Sequence, residues 1–162
     1  MDDQIKTALT QLIGKELNAV NIYQNLVAYF HNNNLPGYSN RMQLRVSRKQ
    51  ARESKIQNYL NSCGANPGVI PNPAPIAPFA SPIDALTKIY DDQVDTTNLM
   101  NQIIALAISI GDNTTSDFVR SLVEEQTEEE ATASELLERT KLRYTGPIPR
   151  NIQLKPIDYN LP

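Results

Sequence analysis

Cysteine is almost missing from this chain. A lone Cys63 cannot close an internal disulfide, which fits a reducing compartment. Tryptophan is absent, and His31 is the single histidine of 162 residues. No apolar run approaches the roughly 18 residues that a membrane span needs, and no basic-then-apolar leader opens the sequence. A cytoplasmic protein with no membrane partner is expected. Neither sign of charge dominates: charged residues are 20% and the formal net charge is -3, so an overall nucleic-acid signature is lacking. Proline is scarce over long stretches, because the eleven prolines gather almost wholly in 67–82 and from 147 onward. Its absence elsewhere permits long helices.

What is present reads as helix. A chain of this length is one domain with room for a substantial core. From Ile5 to Phe30, steps of three and four through Leu9, Leu12, Glu16, Val20, Tyr23 and Val27 trace one buried stripe, which Glu16 interrupts. Residues 31–37, His-Asn-Asn-Asn-Leu-Pro-Gly, break the pattern with turn formers. A second helix over about 39–63 buries Met42, Val46, Lys49, Glu53, Ile56, Leu60 and Cys63, which puts the cation Lys49 inside a core. Arg41, Arg45, Arg48, Arg52 and Lys55 run along one side of it, and Gly64 is a candidate C-terminal cap. Cys63 reads as a small core residue and His31 as a helix-end or surface group.

Residues 65–81 carry alternate prolines and can be neither helix nor central strand. They can run the length of a helix and join its far end, with Val69, Ile70, Ile76 and Phe79 as packing groups. Ser81-Pro82 then caps a third helix, whose stripe is Ala85, Ile89, Asp92, Thr96, Leu99, Ile103, Leu106 and Ile110. After a turn at 111–115, a fourth helix runs to about Leu142 with Val119, Leu122, Gln126, Glu129, Ala133 and Leu136 facing inward. The predicted fold class is all-α: an antiparallel four-helix bundle over 1–143 with one long crossover, followed by a proline-rich, extended C-terminal arm over 144–162 that docks on its own or a neighbouring subunit.

Each helix places polar residues at mid-height: Glu16, then Lys49 with Arg52, then Asp92, then Gln126 with Glu129. Facing carboxylates are how a bundle holds two iron or manganese ions, but that recipe also takes a Glu-x-x-His element. The only histidine lies at a helix end.

The chain resembles a non-haem ferritin from about residue 5 to 142. The likeness is carried by Lys15-Glu16-Leu17, Tyr23, Ala28-Tyr29-Phe30, Asn34-Leu35-Pro36-Gly37-Tyr38, Asn58-Tyr59-Leu60, Pro73-Ala74-Pro75, Ser81-Pro82 and the acidic run from Glu125 to Glu130. The resemblance implies a homo-oligomeric cage, of 24 subunits in that family, that stores iron and oxidises it at a two-iron centre inside each bundle. It implies that Glu16, Asp92, Gln126 and Glu129 are remnant positions of that centre and that Tyr23 is the nearby tyrosine. The second helix departs from the pattern. Lys49 stands where the resemblance implies a bridging glutamate, Arg52 where it implies histidine, and Arg48 where bacterial members often add a glutamate for a third iron. No methionine in that stretch points to haem between subunits, so no haem is predicted.

Protonated lysine and arginine cannot ligate a cation near neutral pH. Glu16, Asp92 and Glu129 against Lys49 and Arg52 therefore read as an internal salt-bridge network standing where the family holds iron. The expectation is a ferritin-like cage subunit for iron binding and storage with impaired or absent ferroxidase activity. Remaining metal candidates are Glu16, Asp92, Glu129, Glu125, Glu128 and, near the family's entry channel, Asp117, with Arg120 weakening cation steering there. An alternative is a non-enzymatic cage or interaction protein whose basic second helix binds an anionic partner such as nucleic acid. It requires the stripe from Arg41 to Lys55 to be unpaired with fourth-helix glutamates. A third reading keeps ferroxidase activity through a rebuilt site using Glu53 or Glu128 with Glu16 and Asp92. In the resemblance a fifth helix lines the fourfold channels, and the proline-rich tail cannot copy it.

Overall fold

The computed structural model describes residues 1–145. Four helices follow one another: α1 (Asp3–Asn32), α2 (Pro36–Ser62), α3 (Pro82–Ser109) and α4 (Asn113–Thr145). The all-α bundle with one long crossover is the architecture expected. Its packing is most extensive between α1 and α2 and between α3 and α4, the two hairpins meeting chiefly through α1 and α3.

The helix ends are written in local chemistry. Asp2 Oδ1 accepts from Gln4 N at 2.8 Å, and Ser81 Oγ accepts from Asp84 N at 3.0 Å. Asp112 does the same ahead of α4, accepting from Thr115 N at 2.9 Å. At the other ends, Asn34 (φ 58°), Gly64 (φ 68°) and Gly111 (φ 76°) adopt the left-handed conformation. Each is flanked by the paired 6→1 and 5→2 bonds of a Schellman cap: Leu35 N to Phe30 O and Asn34 N to His31 O after α1, Ala65 N to Leu60 O and Gly64 N to Asn61 O after α2, and Asp112 N to Ala107 O and Gly111 N to Ile108 O after α3.

Several boundaries differ from expectation. Pro36 and Gly37 belong to α2, because proline at the first helical position needs no amide partner there. Cys63 is the exposed residue after α2 and not a core residue. Glu53 is half-buried, while Arg52 is buried and completes the inner face of α2. Ile110 is exposed, lying past the last turn of α3. α4 extends to Thr145, and the rest of the expected C-terminal arm lies outside the described residues.

The crossover runs along α1. Gly68 N donates to Thr10 Oγ1 (3.2 Å), Ala74 N to Asn18 Oδ1 (3.3 Å), and Asn21 Nδ2 to Ala74 O (3.3 Å). Between these ties Pro71 presses on Gly14 so closely that a Cβ there would stand 3.0 Å from the Pro71 ring. Ile70, Ile76 and Phe79 pack against the bundle, Phe79 edge-on to Tyr29, but Val69 is fully exposed. This path returns the chain to the end of the bundle where α3 starts antiparallel to α1.

The apolar core has two halves. One contains Val20, Tyr23, Leu26, Phe30, Met42, Val46, Ile89 and Leu136; the other contains Leu9, Leu12, Ile56, Leu60, Met100, Ile103, Val119 and Leu122. On every helix the residues between the two halves are polar and buried: Glu16, Lys49 and Arg52, Asp92 and Gln93, Gln126 and Glu129.

Candidate functional site

The polar layer is built from mid-helix positions, so four rigid elements fix its side chains. Lys49, from α2, reaches inward with its Nζ 2.7 Å from Glu129 Oε2 and 3.6 Å from Glu16 Oε2. It also donates to Gln93 Oε1 at 2.8 Å and Gln126 Oε1 at 3.0 Å. One helical turn along, the Arg52 guanidinium spreads over the same acceptors. Nη1 lies 2.6 Å from Gln126 Oε1 and 3.4 Å from Glu16 Oε1, and Nη2 lies 2.9 Å from Glu129 Oε1. Gln126 fixes its own orientation by donating through Nε2 to the Gln93 carbonyl and Gln93 Oε1, both at 3.0 Å. Two cations and two carboxylates, each side chain at most 5% exposed, thus meet with two glutamine amides between them.

Electrostatics divide the two carboxylates. Burial raises the pKa of Glu16, and Lys49 and Arg52 offset this only in part. Burial acts in the same direction on Glu129, but Lys49 and then Arg52 outweigh it and lower its pKa. For Arg52, burial disfavours the charge, yet Glu16 and Glu129 overcome it and raise the pKa. Burial likewise raises the Tyr23 phenol, against the attraction of Arg45.

Asp92 lies in the layer but turns away from its centre. Its Oδ1 accepts from Lys15 Nζ at 3.0 Å and Asn18 Nδ2 at 3.1 Å, both from α1. The third carboxylate is therefore paired by Lys15, which stands one residue before Glu16 on α1, while Gln93 takes the position facing Lys49. The signal for Gln93 was available: it continues Ile89 by one helical step of four, as Asp92 does by a step of three.

The remaining candidates lie around this layer. Tyr23 is buried beside it, sharing a small cavity with Arg41, Met42, Arg45 and Glu129. Glu125 is exposed and pairs with Lys55 at 3.3 Å, its second oxygen 3.6 Å from Arg52 Nη2. Glu128 and Arg48 are exposed in the groove between α2 and α4. Glu53 accepts from Gln57 and Ser54 on its own helix. Asp117 is exposed near the start of α4, where Arg120 Nε donates to Ser116 Oγ at 3.3 Å. His31 is exposed in the last turn of α1. Among the described residues, no three His, Cys, Asp or Glu side chains converge to hold a metal ion, and no helix is long and apolar enough to cross a membrane.

Comparison with known proteins agrees with this architecture. Residues 6–143 match the ferritin-like domain family. A bacterial non-heme ferritin of Campylobacter jejuni is 25% identical over 142 residues, covering 88% of this chain and 85% of the relative. That of Bacteroides fragilis is 21% identical over 141 residues, covering 87% and 89%. Among solved structures, an open pore ferritin from the archaeon Archaeoglobus fulgidus superposes with a TM-score of 0.83 at 26% identity, covering 91% of this chain and 90% of that one. The ferritin of Chlorobium tepidum gives a TM-score of 0.81 at 23% identity, covering 88% and 87%. With the family match extending over nearly the whole bundle, this chain belongs to the ferritin-like family.

Proposed function

We propose that the chain is a ferritin-like cage subunit that binds and stores iron without a working ferroxidase centre of its own. The reading rests on one observation: the Lys49 ammonium lies between Glu16 and Glu129, at 3.6 and 2.7 Å. A charged ammonium offers no lone pair, and neither does the Arg52 guanidinium beside it. Both carboxylates already have cationic partners, and Asp92 is held by Lys15. This donor set does not fit two resident metal ions. Iron is then cargo, taken up already oxidised or mineralised slowly on exposed carboxylates such as Glu124, Glu125 and Glu128. Storage and assembly come to this chain by its kinship with the ferritins named above; a 24-subunit cage in the cytoplasm is the form proposed.

The test is ferrous oxidation in air by the assembled, metal-stripped protein, followed optically against buffer and against a Lys49→Glu/Arg52→His variant. The native protein should be no faster than buffer, and the variant should gain a fast phase. A rapid, saturable phase in the native protein would overturn the reading and direct attention to Glu53 or Glu128. Native mass spectrometry of the same sample reads the number of subunits.

The nucleic-acid alternative turns on the basic side of α2. Lys55 pairs with Glu125 and Arg52 is engaged in the core, so part of the stripe is neutralised by α4. Glu125 and Glu128 also line the opposite wall of the groove, which disfavours a long polyanion.

A further inference from the structure

The other part of that stripe feels carboxylates only at longer range, Arg45 acting on Glu129 and Glu135 on Arg41. Arg41, Arg45 and Arg48 follow one another by four and three residues on one side of α2, so their side chains are neighbours. All three line a solvent-open groove of about 740 Å³ between α2 and α4. Arg41 and Arg45 are half-buried and Arg48 is exposed. None of them has a carboxylate within ion-pair distance among the described residues. The groove wall carries five cations, counting Arg52 and Lys55, against Glu125, Glu128 and Glu129. Two of those carboxylates, Glu125 and Glu129, are already engaged by Arg52, Lys49 and Lys55.

We infer that this groove is a binding site for a small oxyanion of the phosphate class, held by Arg41, Arg45 and Arg48. Guanidinium groups match tetrahedral oxyanions because their N–H donors form a planar fork that engages two oxygens at once. The three arginines span about 10 Å of helix, seven residues at 1.5 Å each, which suits one phosphate between neighbours or a diphosphate along the row. Arg52, which also lines the groove, has its guanidinium turned inward to Glu16, Gln126 and Glu129 and leaves the groove to the other three arginines. Beside this geometry, burial and then Arg45 and Arg139 lower the pKa of the Arg41 guanidinium, and Glu135, itself paired with Arg139, offsets this only in part. The carboxylates on the opposite wall limit the occupant to something small. This inference goes beyond the iron reading and does not rest on it.

Isothermal titration of the assembled, metal-stripped protein with inorganic phosphate and with pyrophosphate, in low-salt buffer, tests the site. Saturable binding is expected, at least about tenfold weaker in Arg45→Gln/Arg48→Gln and unchanged in Lys88→Gln, a control on the exposed side of α3. The exposed Arg48→Gln substitution alone should weaken binding as well, and it provides the answer should the double variant not fold. Absence of saturable binding, or equal affinity in native protein and variants, overturns the proposal. Retention of short duplex DNA through the same arginines, without phosphate or pyrophosphate binding, overturns it in favour of a polyanion surface. Since no iron is present, failure here leaves the storage reading untouched.

Discussion

Lys49 Nζ and Glu129 Oε2 stand 2.7 Å apart in the middle of the bundle, with Lys49 fully buried and Glu129 5% exposed. A pair so desolvated adds little net stability compared with apolar residues, but removing Lys49 leaves Glu16 and Glu129 to share the single charge of Arg52. Lys49→Met should therefore destabilise the protein by about 3–5 kcal/mol in denaturant unfolding. Adding Glu129→Gln to Lys49→Met should recover a large part of that loss. Additive costs in this double-mutant cycle would show that the pair is not coupled.

The two glutamates give opposite pH dependences. The pKa of Glu129 is lowered on folding, so its contribution to stability is complete above the unfolded value of about 4.5 and is lost as pH falls through the lower folded value. The pKa of Glu16 is raised by burial, so its contribution to stability is complete below the unfolded value and is lost as pH rises through the folded one. Glu129→Gln should flatten the acid limb of a stability-versus-pH curve, whereas Glu16→Gln should steepen it. Chemical unfolding between about pH 3 and 7 reads both, and identical curves for the two variants would contradict the assignment.

The Lys49→Glu/Arg52→His variant exchanges two cations for a carboxylate and an imidazole beside Glu16 and Glu129. Without metal it gathers like charges and should lose several kcal/mol, in the range of about 3–5 kcal/mol. Divalent metal should restore its melting temperature in a concentration-dependent way, while the native protein shows no comparable shift. Chelator then reverses the gain. Equal metal responses in the two proteins would argue against displacement of a metal site by Lys49 and Arg52.

Gly14 meets Pro71 where the crossover lies on α1, with 3.0 Å available to a Cβ. Gly14→Ala improves helix propensity by up to about 1 kcal/mol but pushes against a ring that Gly68 and Ala74 tie in place on either side. Overpacking of this kind costs about 1–3 kcal/mol, so the net change should be destabilising. The lesion should be local, read as faster proteolysis within 65–81 and little change in helical circular dichroism.

Much of this fold is legible locally. Ser81-Pro82, Gly64 and Gly111 announce helix ends by backbone chemistry that hardly depends on the rest of the chain. Asn34 as a left-handed cap and Pro36 as a helix start are the same kind of signal, hidden inside a segment that composition alone marks as a turn. Periodicity also carries the expectation that Glu16, Lys49, Arg52, Gln126 and Glu129 lie at one depth, and these five are buried together.

The sequence by itself determined that charged and amide groups occupy the middle of all four helices, because a period of 3.6 residues assigns each position a side of its helix. Only the tertiary structure decided which group faces which. Asp92 and Gln93 are separated by about 100° around the α3 axis and straddle the inner face equally well as far as periodicity can tell. The rotation of α3, set by Ile89, Met100 and Ile103 in its neighbours' grooves, turns Gln93 to Lys49 and leaves Asp92 to Lys15. The same holds for α2, whose rotation buries Arg52 in place of Glu53 and leaves Arg41, Arg45 and Arg48 along an open groove. A helix's own repeat fixes relative angles, and only packing against other helices fixes where those angles point.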